Sequence, residues 1–188
     1  MQSFLQFEQA LKQRSNHPKI VIMMYANFHN ARNMFLRKRQ REVIAWHDAG
    51  PLIQPFAMLD SNHEIRIKMS ATDYWAPPLI GHSALVNFLD EQYAKYEEKH
   101  VNSQEVTEAL LLKFQALVSK SGAKMVLANI FYGDDMKQFA QTNQIPYVDI
   151  FVSLKDAKYQ NPLGIGHPSP LANKVFAEKL GTFLEGIL

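Results

Sequence analysis

The chain has 188 residues, 47% apolar and 11% aromatic, with 20 Lys and Arg against 18 Asp and Glu and no cysteine. That length and apolar content suffice for one domain with a sizeable core and argue against disorder, while a formal charge of +2 is too small to imply a polyanionic partner. The lack of cysteine excludes thiol catalysis, disulfides and thiolate metal sites together.

Phe4, Leu5, Phe7, Ala10 and Leu11 recur at helical spacing over residues 2–14, and Pro18 ends that pattern. The run Ile20-Val-Ile-Met-Met-Tyr25 follows without polar alternation, as in a strand covered on both faces within a parallel sheet. It is too short for a membrane span and lacks the flanks of a signal sequence. The chain as given is therefore expected to be soluble and cytoplasmic, with an exported precursor left open.

Residues 30–47 read as a basic amphipathic helix in which Arg37-Lys-Arg39 and Arg41 form the one dense basic patch. A solvated helix face is the expected role of that patch, with no nucleic-acid partner. Leu52 to Leu59 and the alternating Glu64 to Met69 flank Asp60-Ser-Asn62, which predicts a hairpin insertion over about 52–69. After Pro77-Pro78, residues 82–99 predict a helix using Leu85, Phe88, Leu89 and Tyr93 as its apolar positions.

Asn102-Ser-Gln-Glu105 resembles a capping box, and the helix it opens is expected to stop at Gly122. Lys124 to Ile130 then reads as a second buried strand, Asp134 to Gln144 as a short helix, Pro146 to Ile150 as a third strand and 169–187 as the last helix. In that last helix Ser169 is the expected cap and Pro170 suits the first turn, while Leu171, Val175, Phe176 and Leu180 form a stripe for the sheet. His167 is thereby held in the turn at the helix mouth. Alternation of helix and strand predicts a single α/β domain over 1–188, with a parallel sheet and right-handed crossovers.

Ligands of open α/β sheets bind beyond the carboxyl ends of the strands. Asn27, His29 and Arg32 follow the first predicted strand, and Asn129, Tyr132 and Asp134 follow or end the second. These residues are candidates to line such a crevice, with ordinary loop polarity as the competing reading. The seven histidines lack the His-x-x-x-His or His-x-His spacing of metal sites, and no glycine-rich phosphate loop occurs, so neither a metal nor a cofactor is expected.

From residue 2 to the end, the succession of elements resembles the later part of an SGNH (GDSL-type) hydrolase. Members of that family share a flavodoxin-like three-layer α/β/α fold and are mostly esterases, lipases and carbohydrate O-acyl processing enzymes. Their third sequence block, Gly-x-Asn-Asp after a strand, is matched by Tyr25-Ala-Asn-Phe28, and their fifth, Asp-x-x-His before the last helix, by Gly164-Ile-Gly-His167. Asn27 and His167 keep the family residues, whereas Tyr25, Phe28 and Gly164 depart from them. Phe28-His-Asn-Ala-Arg-Asn33 is similar to an Asp-His-x-x-Arg-Asn stretch found at this place in one branch of the family, and the His-Pro-Ser-Pro surroundings of His167 are typical of the fifth block.

The resemblance implies an acyl ester or carbohydrate ester as substrate, His167 as general base and Asn27 as oxyanion donor, with His29, Arg32 and Tyr132 toward the substrate. With Gly164 in the place of the orienting carboxylate, Asp149 and Asp156 are the candidates to replace it. The first two blocks, which supply the nucleophile in Gly-Asp-Ser and an oxyanion-hole glycine, have no counterpart, and two strands of the usual five-strand order are missing with them. Ser70, Ser83 and Ser153 have ordinary loop or helix-start contexts and Ser169 is committed to its cap. The chain alone is expected to be inactive, as a piece of a longer protein or a shortened homologue. The alternative reading is a non-catalytic binding or interaction module, expected to form a homodimer through the exposed edge of strand 19–25.

Overall fold

The computed structural model describes residues 1–13, 18–44, 53–71, 74–162 and 166–187. In chain order it has α1 (Gln2–Gln13), β1 (Ile20–Tyr25), α2 (His29–Met34), α3 (Arg37–Ile44), β2 (Ile53–Leu59) and β3 (Ile65–Ala71). There follow α4 (Ala84–His100), α5 (Ser103–Lys120), β4 (Lys124–Asn129), α6 (Lys137–Thr142), β5 (Tyr147–Asp149), a 3-10 turn (Ala157–Tyr159) and α7 (Pro170–Glu185). The architecture is mixed α/β, with a three-stranded sheet in the order β1-β4-β5, parallel throughout, and the hairpin β2-β3 as a separate two-stranded sheet. These elements gather into two compact units.

One unit comprises α1 and the stretch Phe28–Phe114. The apolar face of α1 packs Phe4 and Phe7 edge-on against Phe114, with ring centroids 6.0 and 5.5 Å apart. Helix α5 contributes Val106, Leu110 and Leu111 to the same core, and buried Thr107 accepts a hydrogen bond from Asn33 Nδ2 at 3.1 Å. The basic stretch expected to form one helix over 30–47 is two helices, because Phe35 adopts a left-handed conformation (φ 56°) between α2 and α3. That turn lets both Phe35 and Leu36 be buried, and Gln40 Nε2 satisfies the Phe35 carbonyl at 3.0 Å. Residues 45–47 of that expectation, and Leu52 at the start of the expected hairpin, lie outside the described residues.

The other unit comprises β1 with Ala26 and Asn27, and the chain from Gln115 onward. β4 is its centre: Met125 to Asn129 are all buried, as a strand covered on both faces requires. β1 departs from that expectation. It lies at the edge of the sheet, and Ile22 and Met24 are 37% and 44% exposed.

Helix α5 ends as expected at Gly122, whose φ of +80° suits glycine, with Gly122 N–H to Ser119 O at 3.0 Å and Ala123 N–H to Val118 O at 3.2 Å closing the last turn. Its start is the expected capping pair: Glu105 N–H donates to Asn102 Oδ1 at 3.1 Å, and Asn102 Nδ2 donates back to Glu105 Oε2 at 2.9 Å. α7 is capped by Ser169, with Ala172 N–H donating to its Oγ at 3.2 Å and that Oγ donating to Lys158 O at 2.7 Å. Leu171, expected in the stripe of α7, is instead 44% exposed, and Ala172 is the fully buried residue of the first turn.

Candidate functional site

Register aligns the carboxyl ends of the three parallel strands. Tyr25 pairs with Asn129 and Asn129 with Asp149, so the last residues of the three strands form one row at their carboxyl ends. Asn27 lies two residues past Tyr25 on the same edge and is half-buried, with no side-chain partner among the described residues.

Asn129, the buried middle of the row, is a structural hub. Its Nδ2 donates to Phe131 O at 2.8 Å, Gly133 O at 2.9 Å and Asp149 Oδ1 at 3.2 Å, which ties the loop after β4 to the end of β5. Asp149 Oδ1 also accepts the Phe151 N–H at 3.0 Å. Beside them Tyr147 donates its hydroxyl to Asp134 Oδ1 at 3.3 Å, and burial, with the neighbouring Asp134, Asp149 and Asp135 charges, raises the phenol well above its ordinary value. Tyr132 is 76% exposed at this edge and meets Phe151 edge-on, centroids 6.2 Å apart.

The C-terminal helix brings His167 toward the same edge. Lys124 Nζ, at the start of β4, donates to Ile187 O just past the end of α7 at 3.4 Å, so α7 runs antiparallel to the strands with its first turn toward their carboxyl ends. Lys179 Nζ donates to Phe151 O at 2.8 Å. At 1.5 Å per residue the helix extends ~14 Å from Lys179 back to Pro170, which carries its start past the level of β5. His167 is exposed there; its carbonyl accepts the Asn161 N–H at 2.9 Å, and its imidazole has no polar partner among the described residues.

Neither carboxylate considered for orienting His167 reaches it. Asp149 is engaged by Asn129 and Phe151, and Asp156 accepts the Lys158 N–H at 3.2 Å and pairs with Lys158 Nζ at 3.1 Å. Gly164 lies outside the described residues. Ser169 is a helix cap, as its position before Pro170 predicts.

His29 and Arg32 sit on α2, in the first unit. The Arg32 guanidinium lies 4.8 Å from the Phe28 ring centroid, and the Phe28 and His29 rings meet edge-on at 4.4 Å. Burial, with the positive charges of Arg32 and the Met1 amine, lowers the His29 pKa below its ordinary value.

The most densely bonded polar group among the described residues of that unit was not singled out by sequence. Asp90 on α4 is 5% exposed and accepts from Arg37 Nε at 2.7 Å, from Arg37 Nη2, from Tyr74 Oη at 2.8 Å and from Arg41 Nη1 at 3.4 Å. Arg41 Nη2 also reaches Asn87 Oδ1 at 2.6 Å, and Glu97 Oε2 accepts the Arg37 backbone N–H at 2.7 Å. Burial works to raise the Asp90 pKa, but the hydrogen bonds from Arg37 and Tyr74 and the two arginine charges outweigh it and hold the carboxyl below the usual range. The basic patch thus folds inward in part: Arg37 and Arg41 bind a buried carboxylate, and Lys38 is 60% exposed. An aspartate among the apolar residues Phe88, Leu89 and Tyr93 was the available signal.

No metal-binding group of three or more His, Asp or Glu occurs among the described residues, and none of their helices is long and apolar enough to cross a membrane. No family model, curated protein or solved structure matches the chain.

Proposed function

We propose that the chain is the later part of an SGNH-type ester hydrolase or O-acyltransferase-like domain, in which His167 is the general base and Asn27 an oxyanion donor. One observation carries this reading: the row Tyr25–Asn129–Asp149 puts Asn27 at the carboxyl edge of a β1-β4-β5 parallel sheet, and the antiparallel α7 points its Ser169-capped first turn, with His167 before it, toward that same edge. Ligand sites of open parallel sheets lie at such edges. Tyr132, in the same unit as Asn27 and His167, is the proposed contact of an acyl ester, on a sugar or a small alcohol.

In acyl transfer the base takes the proton of a serine hydroxyl as it attacks the ester carbonyl, and the donor stabilises the oxyanion that forms. A single oxyanion donor is worth about 3 kcal/mol of barrier. The sequence contains no Gly-Asp-Ser, so these residues supply base and donor without a recognisable nucleophile, and no turnover is expected of them alone.

The test is binding of a tetrahedral-oxyanion mimic, a phenylboronate or a dialkyl phosphate, followed by the NMR signals of the Asn27 amide and the His167 ring. Both should shift together and saturate at one concentration, and His167→Ala should weaken the Asn27 response. Shifts at neither residue, or at one alone, would overturn the reading. A fluorophosphonate probe should leave the folded chain unlabelled; labelling abolished by His167→Ala would reveal an activated serine and refute the proposed inactivity.

A second reading, a non-catalytic interaction module, is favoured by β1. Among the described residues it pairs on one side only, with Ile22 and Met24 exposed, and such an edge can take another strand. Under this reading two copies pair along β1, and Ile22→Lys abolishes the dimer.

A further inference from the structure

Helix α4 is inverted. Its inward face is polar: Asn87, Asp90 and Glu97, spaced with Ala94 at helical intervals, carry the bonds to Arg41 and Arg37 of α3. Its outward face is apolar: Leu85, Phe88, Leu89, Tyr93 and Tyr96 are each between 54% and 65% exposed. Leu85, Phe88, Leu89 and Tyr93 are the apolar positions expected of this helix, and in the fold the charged α3 bonds to its other side.

An aromatic side chain buries 150–250 Å², so the three aromatic and two leucine side chains at this exposure offer roughly 500 Å². Two such faces packed together bury about 1,000 Å² in all, the size at which a specific interface begins. The largest patch of an ordinary monomer is about 300–600 Å², and one side of a standard protein interface is about 800 Å².

We infer that the exposed face of α4 is a homodimer interface, two copies packing α4 antiparallel about a twofold axis near Gln92 and Tyr93. In a twofold contact residue i meets j and j meets i. With the axis there, Leu89 opposes Tyr96 of the second copy, twice, over the most apolar part of the stripe. The same register brings Glu91, on the flank, near Lys95 of the second copy, again twice; Glu91 Oε1 accepts a long hydrogen bond from Asn87 Nδ2 at 3.5 Å, and neither charge has an ion pair among the described residues. Facing the stripe with its own copy therefore matches area with area and charge with opposite charge. The surface is separate from the β1 edge and does not depend on the acyl-transfer reading.

Sedimentation equilibrium on the 188-residue chain should show a reversible dimer in the micromolar range. Leu89→Glu should weaken it about tenfold or more with an unchanged far-ultraviolet circular dichroism spectrum, since the position faces solvent in the single copy. Glu91→Lys and Lys95→Glu should each weaken the dimer, and the double exchange should restore it. The chain contains no cysteine, so Gln92→Cys carries a single thiol, and oxidised glutathione should cross-link two copies rapidly through it. A monomer at all these concentrations, larger open assemblies, or a dimer that survives Leu89→Glu would overturn the inference. A dimer lost with Ile22→Lys and kept in Leu89→Glu would assign pairing to the strand edge and overturn it equally.

Discussion

Replacing Asp90 by alanine tests how the α3–α4 pair is held together. The substitution removes the acceptor of Arg37 Nε at 2.7 Å, of Tyr74 Oη at 2.8 Å and of Arg41 Nη1 at 3.4 Å, and leaves Arg37, with a side chain 14% exposed, without its carboxylate. Removing one partner of a buried ion pair costs about 3–5 kcal/mol. Arg37 keeps the Trp75 carbonyl at 3.0 Å and the Tyr74 ring 4.6 Å away, and Arg41 is 38% exposed and can be solvated, so the low end of that range, about 3 kcal/mol, applies. Urea denaturation followed by circular dichroism measures it. The double variant Asp90→Leu with Arg37→Met should regain at least half of the loss, because an apolar pair removes both charges together. A loss under about 1 kcal/mol for Asp90→Ala would refute the view of Asp90 as the anchor of α4. Because the folded carboxyl titrates below its unfolded value, its stabilising contribution is present above about pH 4 and disappears as the pH falls through the folded pKa.

His29 should titrate below its ordinary value in NMR, and Arg32→Gln should raise it toward that value by removing one of the opposing charges. The unfolded chain then binds the proton first, so stability declines as pH falls from about 6.5 to the folded pKa; His29→Gln should flatten that decline, and a folded pKa at or above 6.5 would refute the assignment. Asn129→Asp replaces the amide donor facing the Phe131 and Gly133 carbonyls and the Asp149 carboxylate by an acceptor, and should cost about 2–3 kcal/mol in urea denaturation, with Asn129→Ala costing less. Ser169→Ala should lose about 1–2 kcal/mol, with loss of amide-exchange protection in the first turn of α7 as the local readout.

Much of the fold is legible in the chain because its signals are local. Three apolar runs become β1, β4 and β5, the polar Asp60-Ser-Asn62 turns the β2–β3 hairpin, and Asn102, Gly122 and Ser169 cap or stop helices by chemistry confined to a few residues. The failures are of a different kind. Phe35 breaks an amphipathic pattern without any change in periodicity, since a left-handed residue followed by buried Leu36 leaves the spacing of apolar positions intact. β1 is apolar throughout and β4 carries Lys124 and Asn129 at its ends, yet strand order makes β1 an edge with Ile22 and Met24 exposed and β4 the buried centre.

The orientation of α4 shows why periodicity underdetermines a helix. Leu85, Phe88, Leu89, Tyr93 and Tyr96 mark one face at helical spacing, and Asn87, Asp90, Ala94 and Glu97 mark the opposite face just as regularly. Burial energy favours the first face, and only the neighbour decides otherwise: Arg37 and Arg41, one turn apart on α3, offer a set of donors that an apolar stripe cannot satisfy. A carboxylate held by two arginines and a tyrosine tolerates burial, whereas the largely buried Arg37 against leucine would be left without a charged acceptor. The helix therefore turns its acids inward, and its apolar residues become surface. At the sheet edge the same logic separates residues that sequence joins: Asn129 and Asp149 spend their polar atoms on the loop and on each other, while the Asn27 and His167 side chains have no polar partner among the described residues.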